Sequence, residues 1–377
     1  MKSQKTWVEI DRGKILYNFN QLKKRVGANV KIGAVLKANA YGHGLPQVAE
    51  ILKSQTDYFC VDSFNEAIEL RKISKKRIII LGYVLEADYQ AVIEERFELT
   101  VFNKEMLFQL NRIAKKLCKQ AFIHLEVETG TARNGVNLNE WNNYLLEVKN
   151  CSNLKLVGVF THYANIEDTT NHPYAKKQML LYQKAIEKVN KMAFTNFEKH
   201  TACSAAAILF PETHLDFIRL GISLYGMWSS KETNLSAINK NIKINLKPAL
   251  TWKTCVAHIK LLPQGAYVGY GCTEKLMRDS ILAVIPVGYY DGFDRGLSSI
   301  GEVLIRGVRC RVIGRVCMNM TIIDITNVKK TQVGDEVVLI GVQKNEEVTP
   351  ESIAAKINTI NYEITTRINP LIERIIV

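Results

Sequence analysis

The residues of this sequence best suited to chemistry stand where apolar, β-branched runs end. Lys37 and Tyr41 follow one such run in AVLKANAYGHG, Arg133 closes ETGTARNG, and His162 ends another in FTHYA. Ser204 lies in HTACSAAA, and Arg219 lies in RLGISLYG just ahead of Gly221 and Ile222. An amine, an imidazole, a hydroxyl and two guanidiniums can together attack a carbonyl and hold anions. Taken singly, each has an ordinary explanation. A strand-end lysine is usually a solvated surface residue, and a serine before a run of alanines is usually a helix cap. A histidine after a buried strand usually has a structural role, and an arginine there usually pairs with a surface carboxylate. What tips the balance is whether one architecture brings them all to one place.

The elements that would do so can be counted. KIGAVL (31–36), DYFCV (57–61), RIIILG (77–82), ELTVF (98–102), FIHLEV (122–127), LKLVGVFT (154–161), KHTAC (199–203) and FIRLGISLYG (217–226) read as strands, with amphipathic stretches between most of them. Eight βα repeats predict a (β/α)8 TIM barrel, whose active site is built from the loops at the carboxyl ends of its strands. All the residues above fall on that one mouth. The serine and the Gly-Ile backbone belong to the last two strands, where such barrels commonly hold phosphate. A lysine at the mouth of a phosphate-binding barrel points to an imine with a phosphorylated aldehyde, the way pyridoxal 5'-phosphate is held. A doubly wound dinucleotide fold is the weaker alternative, because Gly42-x-Gly44 is followed by Gln47 where a third glycine belongs.

Composition narrows the field without deciding it. The 377 residues are 47% hydrophobic and 23% charged, which excludes disordered and fibrous classes and allows roughly two domains. No run is long and apolar enough for a membrane helix, and MKSQKTWVEIDRGK lacks the apolar centre of a signal peptide, so a cytoplasmic location is expected. Eight scattered cysteines without CxxC spacing read as free thiols, with no metal site. The formal charge of +13 raises nucleic-acid binding as a hypothesis. Its lysines, however, are dispersed in pairs such as Lys75-Lys76 and Lys115-Lys116, and no nucleic-acid motif accompanies them.

After about residue 230 the texture changes. SSKETNLSAINKNIKINLKP reads as a linker, and TWKTCVAHIKLL, SILAVIPVGYY, GEVLIRGVRCRVIG, MTIIDIT and DEVVLIGV read as strands of a mostly β domain, with one helix over 350–357. The expected division is a barrel over 1–232 and a β-strand domain over 233–377.

These motifs jointly carry a resemblance. AVLKANAYGHG, GVFTHYA, HTACSAAA, RLGISLYG, AYVGYGCTE, PVGYYDGFDRG, GRVCMNM, GDEVVLIG and TINYE resemble, in family order, the pyridoxal-phosphate-dependent alanine racemases of the fold-type III barrel family. The resemblance implies a two-base isomerase: Lys37 carries the cofactor and serves as the base on the D-face, and Tyr270 is the base on the L-face. It implies that Arg219 partners the pyridine nitrogen and leaves it unprotonated, since a guanidinium keeps its proton. His162 backs the ring, and Tyr41, Ser204, Gly221, Ile222 and Tyr362 hold the phosphate. Arg133 reaches the phenolic oxygen and the substrate carboxylate. Tyr270, Tyr289 and Met318 would enter the site of a second subunit, making a homodimer with shared active sites and D-alanine for peptidoglycan as the product.

Several positions depart from the family pattern. Glu126 stands where a carbamylated lysine often orients the arginine, and a salt bridge or water-bridged pair with Arg133 is expected in its place. Asn319 replaces an aspartate after the methionine, and Cys203 replaces an asparagine before Ser204. Asn134 after Arg133 resembles broad-specificity amino-acid racemases of the same fold, for which serine or other amino acids would be substrates. Tyr362 fits the alanine-specific pattern. A decarboxylase of basic amino acids shares the architecture but would carry a Cys-Asp motif and a Gly-rich phosphate loop, in place of the Tyr270 and Tyr289 motifs seen here. A barrel that only binds the cofactor would not need the β domain.

Overall fold

Each of the eight apolar runs forms a parallel strand. In the computed structural model, which describes residues 4–377, these are β1 (Lys31–Val35), β2 (Tyr58–Val61), β3 (Arg77–Ile80), β4 (Glu98–Val101), β5 (Ala121–Glu128), β6 (Leu154–Phe160), β7 (Glu198–His200) and β8 (Phe217–Leu220). They pair in sequence order from β1 to β7, and β8 pairs with β1. Two backbone hydrogen bonds bring β7 and β8 together, Asp216 N–H to Lys199 C=O at 3.0 Å and Arg219 N–H to Ala202 C=O at 2.9 Å. The result is a nearly closed barrel. Strands β2 and β4 are buried along their whole length, as expected where the barrel interior covers one face and helices cover the other.

The helices around the barrel start and stop for legible reasons. Phe64–Ile73 opens on a capping box between Ser63 and Glu66, and Lys104–Lys116 opens on Asn103, whose side chain accepts from the Met106 N–H. Their last turns hold Arg71 and Lys72 in the first case and Lys115 and Lys116 in the second; Pro173–Lys191 ends on Lys188 and Lys191. Basic residues there oppose the negative end of the helix dipole. Part of the dispersed positive charge therefore has a local role.

Polar residues conceal one further helix. The stretch read as a linker contains Lys231–Asn239, capped by Ser230, which accepts from the Thr233 N–H at 2.9 Å. It buries Thr233, Ser236 and Ala237, a face too small and polar to show as a hydrophobic period.

The chain divides into two compact units, both discontinuous in sequence. The barrel unit comprises Ile15–Ala38 and Val48–Lys247; the other gathers the described residues through Lys14, together with Asn39–Gln47 and Pro248–Val377. The second unit is mostly sheet. Its spine runs Val308–Arg311, Glu302–Ile305, Glu336–Gln343, Leu250–Cys255, Thr6–Ile10, Glu373–Ile376, so the first and last strands of the chain lie side by side and in parallel. A three-stranded sheet, His258–Leu262, Ser280–Ile285 and Thr321–Asp324, belongs to the same unit, as does the helix Pro350–Ile357. All eight cysteines are free, and among the described residues no helix is long and apolar enough to cross a membrane.

Candidate active site

In the barrel unit the residues singled out from sequence gather at the carboxyl ends of the strands. Lys37 follows β1, and its Nζ lies 3.8 Å from Asp62 Oδ1. The chain then does something L-residues avoid. Ala38, Asn39, Ala40 and Tyr41 all have φ of +53° or +54°, a left-handed turn without a glycine in it. Each such residue costs about 1–2 kcal/mol, so the surroundings must hold the turn in place. One anchor is Glu66, which accepts from the Ala38 N–H at 2.7 Å while its other oxygen accepts from Asp62 and Ser63.

Arg219, on β8, is buried without a carboxylate in ion-pair contact among the described residues. Its donors go to His200 Nδ1 at 2.6 Å, the Thr161 carbonyl at 3.0 Å, the His200 and Thr201 carbonyls, and His162 Nδ1 at 3.4 Å. Burial lowers the affinity of the guanidinium for its proton, and a positive charge so placed favours an electron-rich partner. Burial, with Arg219, Arg133 and Lys37 nearby, pushes the His162 imidazole down to about 3, so the ring is neutral at physiological pH. Its backbone carbonyl accepts from Thr131 Oγ1 at 2.6 Å and Gln178 Nε2 at 3.0 Å.

Ser204 opens a short helix after β7, and its Oγ accepts from the Gly221 N–H at 3.1 Å and the Ser223 N–H at 3.4 Å. The serine thus ties two chain turns together. Neither the Ser204 helix nor the turn Ile222–Tyr225 has a side-chain cap, and Ser223 Oγ is buried without a partner. Uncapped N–H groups around a hydroxyl are the donor set that a phosphate needs.

For Glu126, the direct ion pair that was one of the two expected forms is not seen among the described residues. Glu126 is buried on β5, and Arg133 is exposed in the loop beyond. Burial raises the Glu126 carboxyl, and the charges of Arg133 and Arg219 pull it partly back.

The other predicted residues lie in the second unit. There Tyr41 and Tyr362 approach with ring centroids 6.0 Å apart. Tyr270 sits between Gly269 and Gly271, both at positive φ, and its side chain is 71% exposed. Tyr289 and Met318 are exposed and adjacent: the Tyr289 N–H donates to the Cys317 carbonyl and the Tyr290 N–H to the Met318 carbonyl, each at 3.0 Å. Asn319 is exposed beside them. Gly288 permits this approach, since a Cβ there would stand 2.1 Å from the Cys317 oxygen.

Residues 10–228 match the model of the alanine racemase N-terminal domain, and residues 249–376 match that of the alanine racemase C-terminal domain. The chain belongs to the alanine racemase family. It is 39% identical to an alanine racemase of Halothermothrix orenii, over 98% of this chain and 96% of that one. It is 36% identical to one of Leptospira interrogans, over 99% and 96%. Among solved structures, the alanine racemase of Clostridium difficile 630 superposes with a TM-score of 0.93 at 32% identity, over 100% of this chain and 97% of that one. That of Bacillus anthracis with bound L-Ala-P does so with a TM-score of 0.93 at 31% identity, over 100% and 96%.

Sequence reading passed over several residues that hold this family's barrel mouth in place here: Asp62, Glu66, Thr131, Gln178 and His200. His200 lies inside the quoted run HTACSAAA, and Arg219 depends on it.

Proposed function

We propose that this chain interconverts L-alanine and D-alanine with pyridoxal 5'-phosphate as its cofactor. The observation that carries the reading is the match to alanine racemases along essentially the whole chain, through both family domains. The barrel residues fit the cofactor. An accessible amine suits its aldehyde, the Ser204, Gly221 and Ile222 turns suit its phosphate, and the buried Arg219 guanidinium suits an unprotonated ring nitrogen. Bound there, the cofactor supplies the conjugated ring that draws charge away from the substrate α-carbon.

In this reading Lys37 holds the cofactor and exchanges the α-proton on one face, and Tyr270 exchanges it on the other. Arg219 keeps its own proton and so makes the ring a modest electron sink, which favours returning the proton over side reactions. His162, neutral because buried, backs the ring. Tyr41 and Tyr362 add hydroxyls to the phosphate site. Arg133, with Glu126 setting the field around it and Met318 near by, orients the substrate carboxylate, and Tyr289 limits the pocket. The exposure of Tyr270, Tyr289 and Met318 supports a homodimer in which each subunit completes the other's site. D-alanine made in the cytoplasm would then supply peptidoglycan synthesis.

The purified protein is expected to absorb in the visible and to form D-alanine from L-alanine. Lys37→Ala should abolish both the band and the activity. Loss of the band with racemisation retained would refute the mechanism.

A further inference from the structure

A line of buried polar side chains runs down the inside of the barrel from Arg219, and racemisation as proposed above uses only its upper end. Arg219 meets His200 Nδ1 at 2.6 Å, His200 Nε2 meets His124 Nδ1 at 3.1 Å, and His124 Nε2 meets Glu98 Oε2 at 2.7 Å. All four side chains are buried, the two imidazoles completely. Glu98 lies at the amino-terminal end of β4, where Arg77 grips both of its oxygens. There it borders an open cleft of about 340 Å³ that Arg96 and Lys155 also line.

We propose that Glu98 and His124 are positioning residues for Arg219: a one-way chain of donors, Arg219 to His200 to His124 to Glu98, fixes the only His200 tautomer that can accept from the guanidinium. The inference rests on the reading that Arg219 faces the cofactor ring.

The direction of the chain follows by elimination. A guanidinium only donates, so His200 Nδ1 must be the bare nitrogen and Nε2 must carry the proton. That proton can go only to His124 Nδ1, which leaves the His124 proton on Nε2, pointing at Glu98. A carboxylate only accepts, so both ends of the chain agree. Burial alone would raise the Glu98 carboxyl, but the hydrogen bonds from His124 and Arg77 outweigh it and hold Glu98 down at about 2, ionised throughout the working range. Burial and the Arg219 charge keep His200 neutral.

The barrel is shaped around this chain. Opposite His124, β6 has Gly158, where a Cβ would fall 2.0 Å from the imidazole. The pairing of β5 with β6 also slips between Ile123 and His124. His200 is stacked between Phe217, with centroids 4.0 Å apart, and Phe160, 4.8 Å away. Its ring cannot turn to offer Arg219 the other nitrogen. If the Glu98 acceptor is lost, the His124 proton has no reason to stay on Nε2; moved to Nδ1, it would force the His200 proton onto the nitrogen that faces Arg219, donor against donor.

The test uses the holoenzyme. Imidazole 15N spectra should show Nδ1 bare and Nε2 protonated on both His124 and His200. Glu98→Leu leaves Arg77 its contact with Glu198 at 3.1 Å. It should bring up a second His200 tautomer and lower kcat about tenfold, a size typical of removing a site residue's support, with KM for alanine little changed. His124→Phe keeps a ring of similar shape beside Gly158 and should likewise lower kcat and shift the His200 Nε2 signal. Three results would overturn the proposal: a proton on His200 Nδ1 in the unaltered protein, a fall in kcat with the His200 signals unchanged, or unchanged kcat in both variants. Absence of a visible band and of D-alanine in the unaltered protein would count against the racemase reading itself, while the tautomer spectra would still decide the chain of donors.

Discussion

At the scale of single residues, the inner part of the site holds charge that the barrel has stripped of water, on Arg219 and beside Glu126. Arg219 keeps its proton among carbonyls and two imidazoles, and His162 is neutral because burial and three nearby cations oppose a fourth charge. Glu126 is the opposing case, a carboxylate whose burial raises it while Arg133 and Arg219 favour its charge. Its ionised form therefore fills only above the ordinary carboxylate range. If that charge orients Arg133, kcat/KM should fall as acid protonates Glu126. Glu126→Gln should lower kcat/KM about tenfold and remove that acid limb, as a pH profile of both proteins would show. A Gln variant with an unchanged profile would sink the idea. These roles were only partly legible in the sequence. Lys37 stands out because a reactive group follows an apolar run, and Arg219 because a permanent charge stands inside one, whereas His124 and His200 sit within strands and look like ordinary core residues until their nitrogens are seen to line up.

Elements set where these groups can stand. Barrel strands such as β2 and β4 were legible because a strand buried on both faces is written largely in apolar residues. The helix Lys231–Asn239 was not, because its buried face is Thr, Ser and Ala. Thr6–Ile10 and Glu373–Ile376 also escaped notice: each is a short run whose partners lie hundreds of residues away. Tyr289 and Met318 were picked out by their motifs, and a close approach of two loops brings them together. Gly288 is the point of closest approach, with backbone oxygens on the far side that cannot move aside as a flexible side chain could. Gly288→Ala should separate the loops and cost about 1–3 kcal/mol, read as a lowered Tm, with a larger proportional loss of activity. An alanine variant with unchanged Tm and activity would show that the approach is not needed.

For the whole molecule, the arrangement that matters is the proposed sharing of sites between two copies. Tyr270 and Met277 are 71% and 82% exposed, and Tyr289, Tyr290, Met318 and Met320 are exposed in the same unit, apolar side chains that a second copy could cover. If Lys37 and Tyr270 act in the same site from different subunits, Lys37→Ala and Tyr270→Phe should be inactive alone. Unfolded and refolded together, they should recover about a quarter of full activity, since half of the random dimers are mixed and each mixed dimer has one intact site. No recovery, with mixed dimers demonstrated by mass, would place both residues in the same subunit's site. The turn after Lys37 has a further consequence. Ala38 and Ala40 hold a backbone shape that is the mirror image of the one L-alanine prefers. For the amino acid of opposite hand, that shape is the relaxed one. A semisynthetic chain carrying D-alanine at those two positions would be relieved of strain there, so the mirror-image residue best accommodated by this backbone is the product proposed for the enzyme.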